Sequence, residues 1–131
     1  MSEKSGPVIL YIDDEPGMID LVKLILGRKG CTVIGAHNAE DGLRIMAEQD
    51  LDLVLLDLMM PERDGWEVYR HMKASDALAD LPVIIISARN QPIEIILAKE
   101  INKVDDYVEK PFGPSELVRS VERLLGPLES S

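Results

Sequence analysis

Cysteine, tryptophan and phenylalanine each occur once in the 131 residues, and no apolar run approaches the length of a membrane span. A lone Cys31 has no partner for an internal disulfide, which fits a reducing compartment, and it reads as a small strand hydrophobe. The opening "MSEKSGP" lacks the apolar stretch of a secretory signal, so a cytoplasmic location without membrane association is expected. Positive charge is scarce: 14 basic residues face 24 acidic ones, for a net charge of −10. That balance opposes direct nucleic-acid binding, which depends on Lys and Arg neutralising phosphates, and favours cationic partners, metal ions included. Repeats, low-complexity blocks and long linkers are also missing. What is present suffices for one domain with a real core, since 46% of the residues are hydrophobic. The expected organisation is a domain over residues 7–126, with loose tails at 1–6 and 127–131.

Apolar, β-rich runs alternate with helical patterns five times. Strands are expected at "PVILYID" (7–13), "CTVIGA" (31–36), "LDLVLLD" (51–57), "PVIIIS" (82–87) and "VDDYVE" (104–109). Helices are expected over 15–30, 38–49, 65–74, 91–102 and 114–126. Pro16 suits the first turn of one and Gly30 its stop; Asn38 can cap the second, Asp64–Gly65 the third, and Gly126–Pro127 can end the last. Such alternation, with nearly continuous apolar strands, implies an α/β domain whose parallel sheet is covered on both faces. Right-handed crossovers bring the C-terminal ends of all strands to one edge, where open α/β sheets bind ligands.

The residues that end the strands are therefore informative. The first run ends in Asp13–Asp14–Glu15, the third in Asp57 and the fourth in Ser87; the fifth is followed by Lys110–Pro111. Any one of these alone would read as a turn former or helix cap. Together they place three aspartates, a hydroxyl and an ammonium on one edge. Clustered carboxylates repel unless a cation intervenes. Mg²⁺ removes the conflict, being a hard ion that takes one or two carboxylates, waters and a phosphate oxygen. Lys110 and Ser87 can bind phosphoryl oxygens. The chemistry implied is a Mg²⁺ site beside a carboxylate able to accept a phosphoryl group.

The segments "YIDDEP", "LLDLMMPERDGWE", "IIISA" and "DYVEKPF" resemble the signatures of the receiver domain of two-component response regulators, in order and across residues 7–126. The resemblance implies a flavodoxin-like, three-layer domain with five parallel strands in the order 2-1-3-4-5 and helices on both faces. It implies that Asp57 is the phosphoacceptor for a sensor histidine kinase, a phosphotransfer protein or a small phosphodonor. Asp14 and Asp57 match side-chain Mg²⁺ ligands, Asp13 a ligand acting largely through a metal-bound water, and Met59 a backbone-carbonyl ligand. Ser87 and Lys110 match the hydroxyl and lysine that bind the phosphoryl group. Tyr107 matches the aromatic partner of the Ser87 switch, and Pro111 a proline whose preceding bond is usually cis. The output expected is a changed surface on the 91–102 helix, the fifth strand and the last helix, read by a downstream protein or effector domain. A phosphorylation-dependent homodimer is left open. A signalling switch that assists its own phosphorylation and dephosphorylation is expected, not a turnover enzyme.

Two other classes are weighed against it. An Asp-nucleophile Mg²⁺ phosphohydrolase of the haloacid-dehalogenase type needs a second Asp two residues after the first, where this chain has Met59. A phosphorylation-independent interaction module would have no need of the intact set Asp13, Asp14, Asp57, Ser87 and Lys110. His37 and His71 read as surface histidines, and Trp66 and Phe112 as packing residues. Ile95 falls opposite the face formed by Ile93, Ile96, Leu97 and Ile101, and is expected in a partner or dimer contact. One departure from the family pattern concerns the turn before the fifth strand: Lys103–Val104 replaces the usual Gly-Ala pair. Another is at Met59 and Arg89, positions that tune hydrolysis in receivers, since an apolar Met59 cannot orient an attacking water. A long-lived phosphoryl group is the expected result, and rapid phosphate loss from purified phosphoprotein would refute it.

Overall fold

The computed structural model describes residues 6–58, 60, 65–88 and 103–129. The 91–102 segment with Ile95, together with Met59, Asp64 and Arg89, lies outside the described residues. Five parallel strands, β1 (Val8–Ile12), β2 (Thr32–Ala36), β3 (Leu53–Asp57), β4 (Val83–Ser87) and β5 (Asp106–Glu109), form one sheet in the order 2-1-3-4-5. Four described helices flank it: α1 (Pro16–Gly27), α2 (Ala39–Glu48), α3 (Gly65–Ala74) and a C-terminal helix (Pro114–Leu125).

The three layers follow from strand periodicity. Successive side chains point to opposite faces. Leu10, Ile12, Val54, Leu56, Val83 and Ile85 therefore meet Ile45, Met46, Val68 and Met72 on one side. Ile9, Tyr11, Leu53, Leu55, Ile84 and Ile86 meet Ile19, Val22, Leu26, Leu117 and Val121 on the other. β3 and β4 are buried along their whole length, which is why they read as unbroken apolar runs. Each such fully buried Leu or Ile contributes about 1.5–3 kcal/mol over an exposed one.

Helix ends follow the expected chemistry. Asn38 Oδ1 accepts the Asp41 N–H at 2.8 Å, capping α2. Regular α1 stops at Gly27, but the chain winds on to Gly30, whose φ of +85° closes the end. There the Cys31 N–H bonds Leu26 O at 3.1 Å and the Gly30 N–H bonds Gly27 O at 3.1 Å, a Schellman pair. Beyond the C-terminal helix the structure departs from a loose tail. The Leu128 N–H donates to Glu122 Oε2 at 2.9 Å, its side chain packs on the second core cluster, and Glu129 lies against Gly30. The C-terminal helix is tied to β5 by the Ser120 hydroxyl, which donates to the buried Asp106 Oδ2 at 2.6 Å.

The turn before β5 resolves what Lys103–Val104 does. Lys103 takes a φ of +58°, a left-handed conformation that suits glycine, while Val104 is buried in the first core cluster. A non-glycine residue there costs about 1–2 kcal/mol, against roughly 0.5–1 kcal/mol of extra chain entropy that glycine loses on folding. Lys103→Gly is accordingly expected to stabilise the domain by about 0.5–1 kcal/mol. Urea unfolding of the two proteins checks this; an unchanged or lower midpoint would refute it.

Candidate functional site

The parallel register brings the chemistry-bearing residues to one edge. Asp13 follows β1, Asp57 ends β3 beside Ile86, and Ser87 ends β4 beside Glu109. Lys110 follows β5, and its N–H bonds the Ser87 carbonyl at 2.9 Å. The Asp13 N–H likewise bonds Ala36 O at 3.0 Å, anchoring that edge to the end of β2. Asp13, Asp57 and Ser87 are buried, whereas Asp14 is partly exposed. One carboxylate oxygen each from Asp13, Asp14 and Asp57 lies within 4.8 Å of the others.

Lys110 supplies the compensating charge. Its Nζ is 2.8 Å from Asp13 Oδ2, 3.1 Å from Glu15 Oε1 and 3.5 Å from Asp57 Oδ2. Burial works against its charged form, but the Asp13 hydrogen bond and the fields of Asp57 and Asp13, with the Glu15 bond, outweigh it. Its pKa is therefore held above the ordinary lysine range. Asp13 also accepts from the Glu15 N–H at Oδ1, 2.9 Å away, and from the Tyr11 hydroxyl at Oδ2. Burial, that hydrogen bond and the neighbouring carboxylates push the Tyr11 phenol far above the usual tyrosine range, so it remains a donor.

Three carboxylates, Asp13, Glu15 and Asp57, thus contact one ammonium, and the oxygens of Asp13, Asp14 and Asp57 form a hard donor set that fits Mg²⁺. Of the residues expected from the sequence, Asp13, Asp14, Asp57 and Lys110 come together and Ser87 flanks them. Tyr107 sits apart, half-buried in β5 opposite Ile85 and packed on the first core cluster. Met59 lies outside the described residues. The Lys110–Pro111 peptide is cis. His37 and His71 are exposed; Trp66 packs edge-on against Tyr69 and Phe112 packs on the second core cluster.

Three contributors were not singled out by sequence reasoning. Glu15 stood in the acidic run but had no role of its own. Tyr11 looked like any strand aromatic, although its spacing two residues before Asp13 puts both on one face. Gly65 read only as a turn. A Cβ on Gly65 would lie 2.5 Å from Asp57 O and 2.8 Å from Leu58 Cα, so helix α3 can start against the end of β3 only without a side chain. Gly65→Ala is expected to cost about 1–3 kcal/mol and to displace the Asp57 backbone. Denaturant unfolding with Mg²⁺ titration checks both effects, and wild-type stability and binding in the variant would refute them.

Comparison with known proteins supplies an independent line. A family model described as the response regulator receiver domain matches residues 9–122. The transcriptional regulatory protein AfsQ1 of Streptomyces coelicolor is 40% identical over 105 residues, covering 80% of this chain and 45% of that protein. The chain thus spans less than half the length of that relative. Among solved structures, the N-terminal domain of a response regulator receiver protein from Methanoculleus marisnigri is 34% identical, with a TM-score of 0.73 over 92% of this chain and 98% of that one. A BeF3 activated DrrB receiver domain is 28% identical, with a TM-score of 0.80 over 92% of this chain and 98% of that one.

Proposed function

The chain belongs to the response regulator receiver domain family, and from that premise we propose that it is a phosphorylation-activated switch whose acceptor is Asp57. The observation that carries the reading is the convergence of Asp13, Asp14 and Asp57 within 4.8 Å, with Lys110 Nζ 3.5 Å from the Asp57 carboxylate. A BeF3 activated form of a related receiver lends support from the same family. Among the described residues no helix is long and apolar enough to cross a membrane.

Asp13, Asp14 and Asp57 would hold Mg²⁺. When bound, the ion neutralises charge on the phosphoryl oxygens and on the acceptor. In the transfer, a carboxylate oxygen of Asp57 forms a bond to phosphorus as the P–N bond of a donor phosphohistidine breaks. The leaving imidazole nitrogen keeps the bonding electron pair. Lys110, held charged by its acidic neighbours, follows the negative charge to the new phosphoryl oxygens, and the Ser87 hydroxyl donates to the same group. Asp57 is buried at the end of a fully buried strand, so the added dianion must be met by rearrangement around it. An arrangement that binds the dianion better gains population, and Ser87 with Tyr107 relays it to the surface of β5 and the C-terminal helix. The partners are a sensor histidine kinase or phosphotransfer protein upstream, and a protein or effector domain that reads this surface downstream.

Intact-protein mass spectrometry after incubation with acetyl phosphate tests the reading. A single Mg²⁺-dependent phosphoryl adduct is expected for the wild type and none for Asp57→Asn. An adduct that survives in Asp57→Asn would move the acceptor elsewhere, and its absence from the wild type, even with a panel of kinases, would favour a phosphate-independent interaction module.

A further inference from the structure

We propose that Tyr11 is a positioning residue that restrains Mg²⁺ affinity by occupying Asp13, an inference that rests on the metal site proposed above. A carboxylate offers about four lone-pair positions. At Asp13, three are taken by donors of the chain itself: the Glu15 N–H at Oδ1, and the Tyr11 hydroxyl and Lys110 Nζ at Oδ2. Tyr11 and Asp13 are both completely buried, so the bond between them is not shared with bulk water. The phenol has little freedom to leave. Tyr11 is locked between Gly35 of β2 and Leu55 of β3 in the sheet register and packs in the core cluster that holds Ile19 and Val22.

Removing the hydroxyl could act in two opposed ways. Loss of an orienting partner behind a metal ligand typically costs about 10–100-fold in affinity. Here orientation survives the loss, because Glu15 N–H and Lys110 still fix one oxygen each at 2.9 and 2.8 Å. What disappears is competition for Oδ2. The freed lone pair becomes available to the ion or to a water bound to it, so affinity rises. Tyr11 thereby holds back Asp13 as a ligand within the aspartate cluster.

Isothermal titration of EDTA-stripped protein with MgCl2 tests this. Tyr11→Phe keeps the ring and is expected to bind Mg²⁺ about three- to ten-fold more tightly than wild type, the equivalent of one ordinary net hydrogen bond. In an Asp13→Asn background the same substitution should have no effect. A merely structural lesion would not tighten binding, and equal or weaker binding by Tyr11→Phe overturns the inference, as does tightening that persists without Asp13. If Tyr11→Phe does not fold, Tyr11→Leu, which also lacks the hydroxyl, carries the same comparison. Wild-type protein that takes up no Mg²⁺, or whose binding is indifferent to both Asp14→Asn and Asp57→Asn, overturns the metal-site reading instead.

Discussion

Buried negative charge gathered around one ammonium at the carboxyl edge of the sheet is the constraint that organises this protein. Asp13 and Asp57 are carboxylates taken almost wholly out of water, an arrangement that is strongly unfavourable without a cation. Among the described residues, Lys110 is the cation in contact with both. Removing one member of a buried charged set usually costs about 3–5 kcal/mol because the remaining charge is stranded. The cluster is thus held together by mutual dependence, and any new charge introduced there redistributes the existing ones. A phosphoryl group is such a charge.

The sheet makes that redistribution consequential. Its central strands are buried on both faces, and the interdigitated apolar rows leave little room for the acidic edge to relax by drifting. Gly65 pins α3 against the backbone of Asp57 and Leu58, and the Lys110 N–H ties β5 to the end of β4 through Ser87. Motions around Asp57 therefore involve whole element ends. A dense scaffold with a few hydrogen-bonded strand termini favours discrete alternatives over graded deformation, which is what a switch requires.

Much of this was legible in the sequence because strand termini are where a parallel sheet concentrates polar residues. Asp13, Asp14, Asp57 and Ser87 each close an apolar run, Lys110 follows the mixed strand "VDDYVE", and the alternation of strands and helices fixes which edge they share. Gly30 and Asn38 were readable as helix punctuation for similar local reasons. The misses arise where the cause is three-dimensional. Gly65 matters through a 2.5 Å approach to a carbonyl in another element. Tyr11 matters through a hydroxyl whose acceptor is chosen by strand direction, and nothing in its apolar setting announces that bond. Leu128 and Glu129 read as a polar tail because "GPLESS" has no periodicity, yet one leucine and one well-placed Glu122 suffice to dock the segment. Lys103 is the converse case: the sequence suggested an altered turn, and the backbone keeps a glycine-like conformation with a lysine in it.

The docked C-terminal segment has a topological consequence. Gly6 has its Cα against the Gly30 carbonyl, and the Glu129 carboxylate lies against the Cα of the same glycine. The first and last described residues are therefore close neighbours. They meet beside the start of β2, whereas the acidic cluster gathers at the other end of the strands, about 17 Å away for five residues of extended chain. A domain in which residues 6 and 129 both meet Gly30 is a closed cassette between those positions. It can be spliced into a surface loop of a host protein, or its ends joined and reopened elsewhere, without stretching the sheet or approaching Asp57.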